Sequence, residues 1–449
     1  MPEATIKRNI LIVGAGLGGL AAALALQTDG HKVTIIDSAP EFAEAGAGIR
    51  LPPNSSRLLL RWGVDVNKMK KSVSKRYHFL RWQDGSTIVK LPFDNIVETH
   101  GAPYYLVHRA DLHAGLMEAA QRAGVAIHPK QRVESYDFDA PSATTSDGTV
   151  WKADLIVAAD GIKSLARPLL TGQPDVPRDT GDVAYRILVP GELLLKDPEL
   201  APLITDPCTT SWCGPDAHLV GYPIRDGELY NIVVCATSYN ETTDEVWVVK
   251  GDTTELYNRF STWEPRVQKL CKLTGEFMKW RLCDLPILSR WVHPSGKVCL
   301  LGDSCHPMLP YLAQGAAQAV EDAAVLRQCL ASSEFETLGD ALHKYESVRL
   351  PRASLVQEKT REHQYILHID DGEEQKVRDG KMVVNGDENP VFWGYEHRRK
   401  WLFSHDAEIV GVEGANWNAN AQQQQQQSGT INVGKLSDVN VSVAAVAAH

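Results

Sequence analysis

A chain of 449 residues, 43% hydrophobic and 23% charged, has the make-up of a globular enzyme and enough length for two packed domains and a tail. Its net charge of −10 excludes a general nucleic-acid binder, so the basic stretches Lys68–Arg76 and Glu396–Lys400 read as solvated faces. The eight cysteines show no metal-ligand spacing, no apolar run reaches the ~18–20 residues that span a bilayer, and no secretory signal precedes the first strand. The expectation is a soluble, cytoplasmic enzyme with no metal and no membrane or nucleic-acid partner.

In chain order, Ile10–Val13 is a continuous apolar run suited to a strand buried on both faces. Glycines follow, then an alanine-rich helix over about Gly18–Asp29 and a second strand at Lys32–Ile36, which completes a βαβ unit. Gly14, Gly16 and Gly19 fit GxGxxG: a tight turn, a bare backbone for a pyrophosphate, and a close helix–strand contact. Asp37 is the acid expected ~20 residues on, where it bonds a ribose hydroxyl.

Ala153–Leu170 repeats the pattern of strand, turn at Asp160–Gly161, and helix. Thr180–Pro190 and His218–Ala236 instead alternate apolar and polar residues, with a turn at Asp226–Gly227, which predicts antiparallel sheet. Val298–Leu301 reads as a third buried strand. It ends in Gly302–Asp303 and leads through a proline-held loop to a helix opening at Gly315, Ala316 and Ala317. Such a start offers free N–H groups and partial positive charge to something electron-rich. Beyond Leu350 the chain reads as helical and polar, and from about Gly414 as a glutamine-rich disordered tail.

The fold class is therefore α/β, a Rossmann-like dinucleotide-binding domain interrupted by an antiparallel sheet and followed by C-terminal helices. Two later strand-end acids, Asp160 and Asp303, favour FAD over NAD as the dinucleotide. An acid far along the chain reaches the ribityl hydroxyls, and a helix start facing the ring favours the reduced, anionic flavin by up to ~1–2 kcal/mol.

The GxGxxG loop, "ADG" at Ala159–Gly161 and "GDSCHPMLP" at Gly302–Pro310 resemble the three fingerprints of single-component FAD-dependent aromatic hydroxylases, the group A flavoprotein monooxygenases. The look is that of salicylate hydroxylase and 6-hydroxynicotinate 3-monooxygenase. "GAGIRLPPNSSRLL" (Gly46–Leu59), "HRADLHAGL" (His108–Leu116) and "PYLAQGAAQAVEDAAVL" (Pro310–Leu326) extend the likeness over roughly residues 8–405.

The resemblance implies a fold of the para-hydroxybenzoate hydroxylase type. FAD-binding segments would span 8–72, 102–178 and 294–350, and a substrate domain 73–101 and 179–293. A C-terminal helical segment at 351–412 and a disordered tail at 413–449 would complete the chain. It also implies non-covalent FAD, with NADH or NADPH as co-substrate, capture of O₂ as a flavin hydroperoxide, and transfer of one oxygen to a phenolic ring, with loss of CO₂ where that carbon bears a carboxylate. The assembly would be a monomer or homodimer.

By position, the resemblance puts Asp37 on the adenosine ribose, Arg109 at the pyrophosphate and Asp303 at the ribityl end. Asp160 and Gly161 form the element linked to both FAD and NAD(P)H, and Gly48, Val133, Pro310, Gly315 and Ala316 complete the cofactor set. His218 and Tyr222, four apart on a strand, share a face and would be the catalytic pair, with His218 accepting the phenol proton. Taken alone, His218 reads as a structural histidine; the resemblance reverses that. Arg50 and Arg186 are rival anchors for a substrate carboxylate, and Tyr311 would border the substrate. Cys208 is set aside because its spacing to His218 is one residue too long.

Two other functions fit the same frame: a monooxygenase tailoring a larger polyketide or indole, and a non-catalytic, redox-sensing flavoprotein. A flavin halogenase is disfavoured by the missing WxWxIP-like signature.

Overall fold

The computed structural model describes residues 6–42, 46–238 and 248–409, so the tail expected at 413–449 lies outside the described residues. Five parallel strands form one sheet, in the order Val298–Leu300, Leu155–Ala158, Asn9–Val13, Lys32–Ile36 and Ala126–His128. Strands from three distant parts of the chain are thus neighbours: Ile10 registers with Leu155, and Ile156 with Val298. Their apolar runs are buried because helices cover the sheet. The alanine-rich helix Leu17–Thr28 is buried on most sides, since small side chains let it pack closely against the helix Gly315–Ala331.

The second large sheet has eight strands, in the order Val248–Lys250, Met278–Asp284, Arg178–Pro190, Leu229–Thr237, Ala217–Ile224, Thr209–Gly214, Arg76–Arg81 and Thr87–Pro92. All its pairings are antiparallel except that of Thr209–Gly214 with Arg76–Arg81. The predicted turn closes the hairpin between Ala217–Ile224 and Leu229–Thr237, with Asp226 and Gly227 both at positive φ. Strand alternation sends Leu219, Ile232 and Val234 into an outer core with Leu256, Phe260 and Leu270. The opposite face carries Val220, Tyr222 and Cys235 towards Tyr311, Leu312 and Leu367. Ala217–Ile224 is buried throughout because both faces are covered.

A 30-residue helix, Leu338–Leu367, opens on a capping box between Thr337 and Asp340, runs through Pro351, and ends beside the large sheet at His368. Among the described residues no helix is long and apolar enough to cross a membrane.

Candidate active site

The glycine loop is built by close approach. Gly14 sits at φ +109°, and a side chain there would run into the carbonyl oxygen of Ala159. One on Gly19 would strike the carbonyl oxygen of Gly14, so this residue packs helix on strand and does not itself line the site. Gly16 differs: a Cβ there meets nothing within 4 Å. Asp37 ties the loop, its two carboxylate oxygens accepting from the backbone N–H groups of Ala15 and Ala39, each at 2.7 Å. Gly14, Gly16, Asp37, Val133, Asp160 and Gly161 all line one cavity of about 420 Å³. Asp160 accepts from the Ser304 hydroxyl (3.0 Å) and the Leu165 N–H (2.9 Å), which couples the second fingerprint to the third.

A second cavity of about 430 Å³ meets the first at Gly16, Ala159 and Gly161. Arg109, Asp303, Pro310, Gly315 and Ala316 line it. The helix Gly315–Ala331 begins there with no side-chain cap and no acid in its first turn, so its N–H groups and partial positive charge face open space. Asp303 is enclosed by protein yet open to the cavity; enclosure pushes its carboxyl above the usual range, against the pull of His306, Arg109 and Arg167. An open glycine backbone, an uncapped helix start and acids at three strand ends fit FAD along this joined path.

The far end of the same cavity is made by the large sheet. His218 and Tyr222 lie on Ala217–Ile224 and are 2% and 3% exposed. Both line the cavity, as their period-two spacing requires. Burial, helped by His368 and Arg50, drives the His218 pKa well below its ordinary 6.5, so its ring is neutral at neutral pH. His218 Nδ1 is 2.8 Å from His368 Nε2, and His368 Nδ1 is 3.3 Å from the Asp182 carboxylate. Tyr311 lines the cavity with its ring 5.5 Å from that of His218, while its hydroxyl donates to Asp182 at 2.5 Å.

Arg50 and Arg186 both line this chamber. Arg50 is buried over the ring of Tyr77 at 5.5 Å, and its Nη1 has no hydrogen-bond partner among the described residues. Arg186 lies 4.9 Å over the Trp280 ring, is exposed, and lines the cavity. Neither has an acidic partner among the described residues, and Asp303 is the only carboxylate in the lining.

Gly48 also lines the cavity, but its local requirement comes from the sheet. Its N–H donates to Asn231 at 2.6 Å, and a Cβ would lie 2.6 Å from Tyr222. Cys208, set aside from the sequence, contacts Thr210, whereas Cys235 lines the cavity. The sequence reading missed Cys235, His368 and Asp182. The only signal for Cys235 was its place on a predicted strand, and no local signal exists for a contact between residues 150 positions apart.

Among the described residues one cluster resembles a metal site: Cys305, His306 and Asp322, with ligand atoms within 4.8 Å of one another. Both Asp322 oxygens are already engaged, one by Arg349 and the other by His306 and the Gly302 N–H. The cluster is therefore an ion-pair network beneath the third fingerprint.

The sequence matches the FAD binding domain family over residues 7–256 and 276–360. It is 36% identical over 415 residues to the FAD-dependent monooxygenase OpS4 of Beauveria bassiana (strain ARSEF 2860), covering 90% of this chain and 96% of that protein. To the 6-hydroxynicotinate 3-monooxygenase of Bordetella bronchiseptica (strain ATCC BAA-588 / NCTC 13252 / RB50) it is 36% identical over 357 residues, covering 78% and 90%. The structure superposes on a salicylate hydroxylase substrate complex with a TM-score of 0.72 at 25% identity, covering 90% of this chain and 97% of that one. These matches bear out the α/β fold and the resemblance read from the three fingerprints.

Proposed function

Since the chain belongs to the FAD-dependent monooxygenases, we propose that it hydroxylates a small phenolic aromatic acid, using NADH or NADPH and O₂. The observation that carries this reading is the lining of one chamber. Two arginines without acidic partners among the described residues and a neutral histidine face the space that ends at an uncapped helix start. An anionic ligand is what such a lining lacks. The hydroxylated aromatic acids named for the hydroxynicotinate enzyme and salicylate hydroxylase have that chemistry.

In this reading Asp37 holds the adenosine ribose, Arg109 the pyrophosphate and Asp303 the ribityl chain, while Gly14, Gly16, Gly161 and the start at Gly315 and Ala316 admit the cofactor to bare backbone. FAD, when bound, supplies reducing electrons from the nicotinamide and the activated oxygen. The protein's own part is to place and charge the ring. Arg50 or Arg186 receives the carboxylate in bidentate fashion. His218 takes the phenol proton on its cavity-facing nitrogen, and Tyr222 walls the ring on the same strand. The phenolate donates electron density to its ortho and para carbons, where the oxygen enters. Where the attacked carbon carries the carboxylate, CO₂ leaves.

The test is a panel of hydroxybenzoates and hydroxynicotinates offered to the FAD-loaded protein with each nicotinamide. One member should raise the rate of nicotinamide oxidation and yield a product one oxygen heavier, or, where a hydroxyl replaces the carboxylate, a lighter product with CO₂ released. A panel in which no acid stimulates oxidation or is converted would refute the phenolic-acid reading.

A further inference from the structure

Three elements far apart in the chain converge behind His218. His368 follows the last residue of the helix Leu338–Leu367, and its backbone oxygen accepts from the Asp216 N–H at 3.2 Å. Asp182 lies on Arg178–Pro190 and also accepts from the Thr237 hydroxyl at 3.1 Å. The side chains of His368 and Asp182 are 8% and 1% exposed.

Their donors and acceptors permit one consistent assignment. A carboxylate only accepts, so the His368 nitrogen facing Asp182, Nδ1, carries the proton. His368 Nε2 is then a bare acceptor, and the nitrogen it faces, His218 Nδ1, must be the donor at 2.8 Å. That leaves the lone pair of His218 on Nε2, the nitrogen free to meet a ligand in the cavity that His218 lines.

We propose that His368 and Asp182 are positioning residues that hold His218 in this tautomer and carry away the proton it receives. The proposal rests on the reading of His218 as the base for a phenolic substrate. The phenol O–H bond breaks towards His218 Nε2, the His218 Nδ1 proton passes to His368 Nε2, and the His368 Nδ1 proton passes to Asp182. The substrate ends as phenolate and Asp182 as the acid, so one negative charge has moved from Asp182 to the phenol oxygen. Neither imidazole holds a net charge at the end.

That outcome matters because both rings are buried. Burial lowers the pKa of His218, with His368, Arg50 and His363 pushing the same way. Burial also lowers that of His368, against Asp182 and Asp216 and with Arg259. Tyr311, Cys235 and Cys213 also adjoin His218 and are neutral at neutral pH, burial raising each of their pKa values, and Tyr311 donates its hydroxyl to Asp182. A lone imidazole in this setting would keep a proton poorly, whereas a relay ending on a carboxylate removes that cost.

Two readouts on the FAD-loaded enzyme test this. Histidine-ring ¹⁵N spectra at neutral pH, assigned with His218→Gln, should show His218 protonated on Nδ1 and bare on Nε2, and Asp182→Asn should change that pattern. His368→Gln offers an acceptor near the Nε2 position but cannot pass a proton. With FAD content and substrate Kd retained, it should lower hydroxylation at neutral pH by at least about tenfold and recover as the pH approaches the phenol's own pKa. If His368→Gln does not retain FAD, the same pH comparison is made with Asp182→Asn. A proton on His218 Nε2, or a variant with the parent's pH profile, overturns the relay. The ring spectra need no substrate, so failure of the phenolic-acid reading leaves them to decide by themselves whether His368 and Asp182 hold His218 in this tautomer.

Discussion

Arg349 bridges two neighbours on one helix: its Nη1 lies 2.6 Å from Glu321 and its Nε 2.7 Å from Asp322, with all three side chains fully buried. Arg352 adds a second contact to Glu321 at 2.7 Å. Burial raises the carboxyl pKa values of Glu321 and Asp322, but the facing side chains, Arg352 and Arg349 at Glu321 and His306 and Arg349 at Asp322, bring both below the usual range. This network clamps the helix Gly315–Ala331, whose start faces the cavity, onto the helix Leu338–Leu367.

Removing the central cation strands buried charge. Arg349→Leu should cost about 3–5 kcal/mol in denaturant unfolding of the FAD-loaded protein and loosen FAD retention. A loss below about 1 kcal/mol would mean that the clamp carries little of the stability.

The glycine loop separates fold from binding. Gly16→Val enters open space in the protein alone, so it should leave the fold and melting temperature nearly intact while abolishing FAD binding. Gly14→Ala should instead destabilise the apoprotein, through both its positive φ and the collision with Ala159. Flavin absorbance and thermal melts of the two variants check the contrast, and normal FAD occupancy in Gly16→Val would remove the loop from the cofactor site.

Arg50→Gln keeps polarity but removes charge. If Arg50 receives the carboxylate, the variant should bind the acid roughly 10–100-fold more weakly, the worth of about 1.5–3 kcal/mol for a charged hydrogen bond. The corresponding primary amide should lose little. Equal losses for acid and amide, read by isothermal titration, would point to Arg186 or to packing.

His218→Ala should lower hydroxylation by roughly 10²–10⁴ with FAD content unchanged, and nicotinamide oxidation should then yield H₂O₂ in place of product. The folded-state pKa of His218 is lowered, so protonation of the base waits for pH well below 6.5. In the parent, therefore, the acid limb of kcat/KM assigned to this group should lie below 6.5. The same sign applies to stability: as pH falls from about 6.5 the unfolded chain takes up a proton at this position before the folded one, and stability declines. A variant that hydroxylates at the parent rate at neutral pH returns His218 to a structural role.

What lay in the sequence was whatever one element's own period decides. Gly14, Gly16 and Gly19 stand at fixed offsets between an apolar strand and a helix, and Asp37 closes the unit that the structure contains. His218 and Tyr222, four apart on a strand, had to share a face, and both line the cavity. The bare start at Gly315 followed from residue size alone. By contrast, the partnership of His218 with His368 spans 150 residues, Arg50 and Cys235 reach the chamber from two further strands, and Asp182 backs His368 from a third. No spacing encodes those meetings, because they depend on sheet order, register and helix docking, which are settled by burial over the whole molecule. Gly48 shows the same division: its residue type was legible, but Asn231 and Tyr222, the neighbours that demand it, come into contact only when the inserted sheet folds onto the FAD-binding domain.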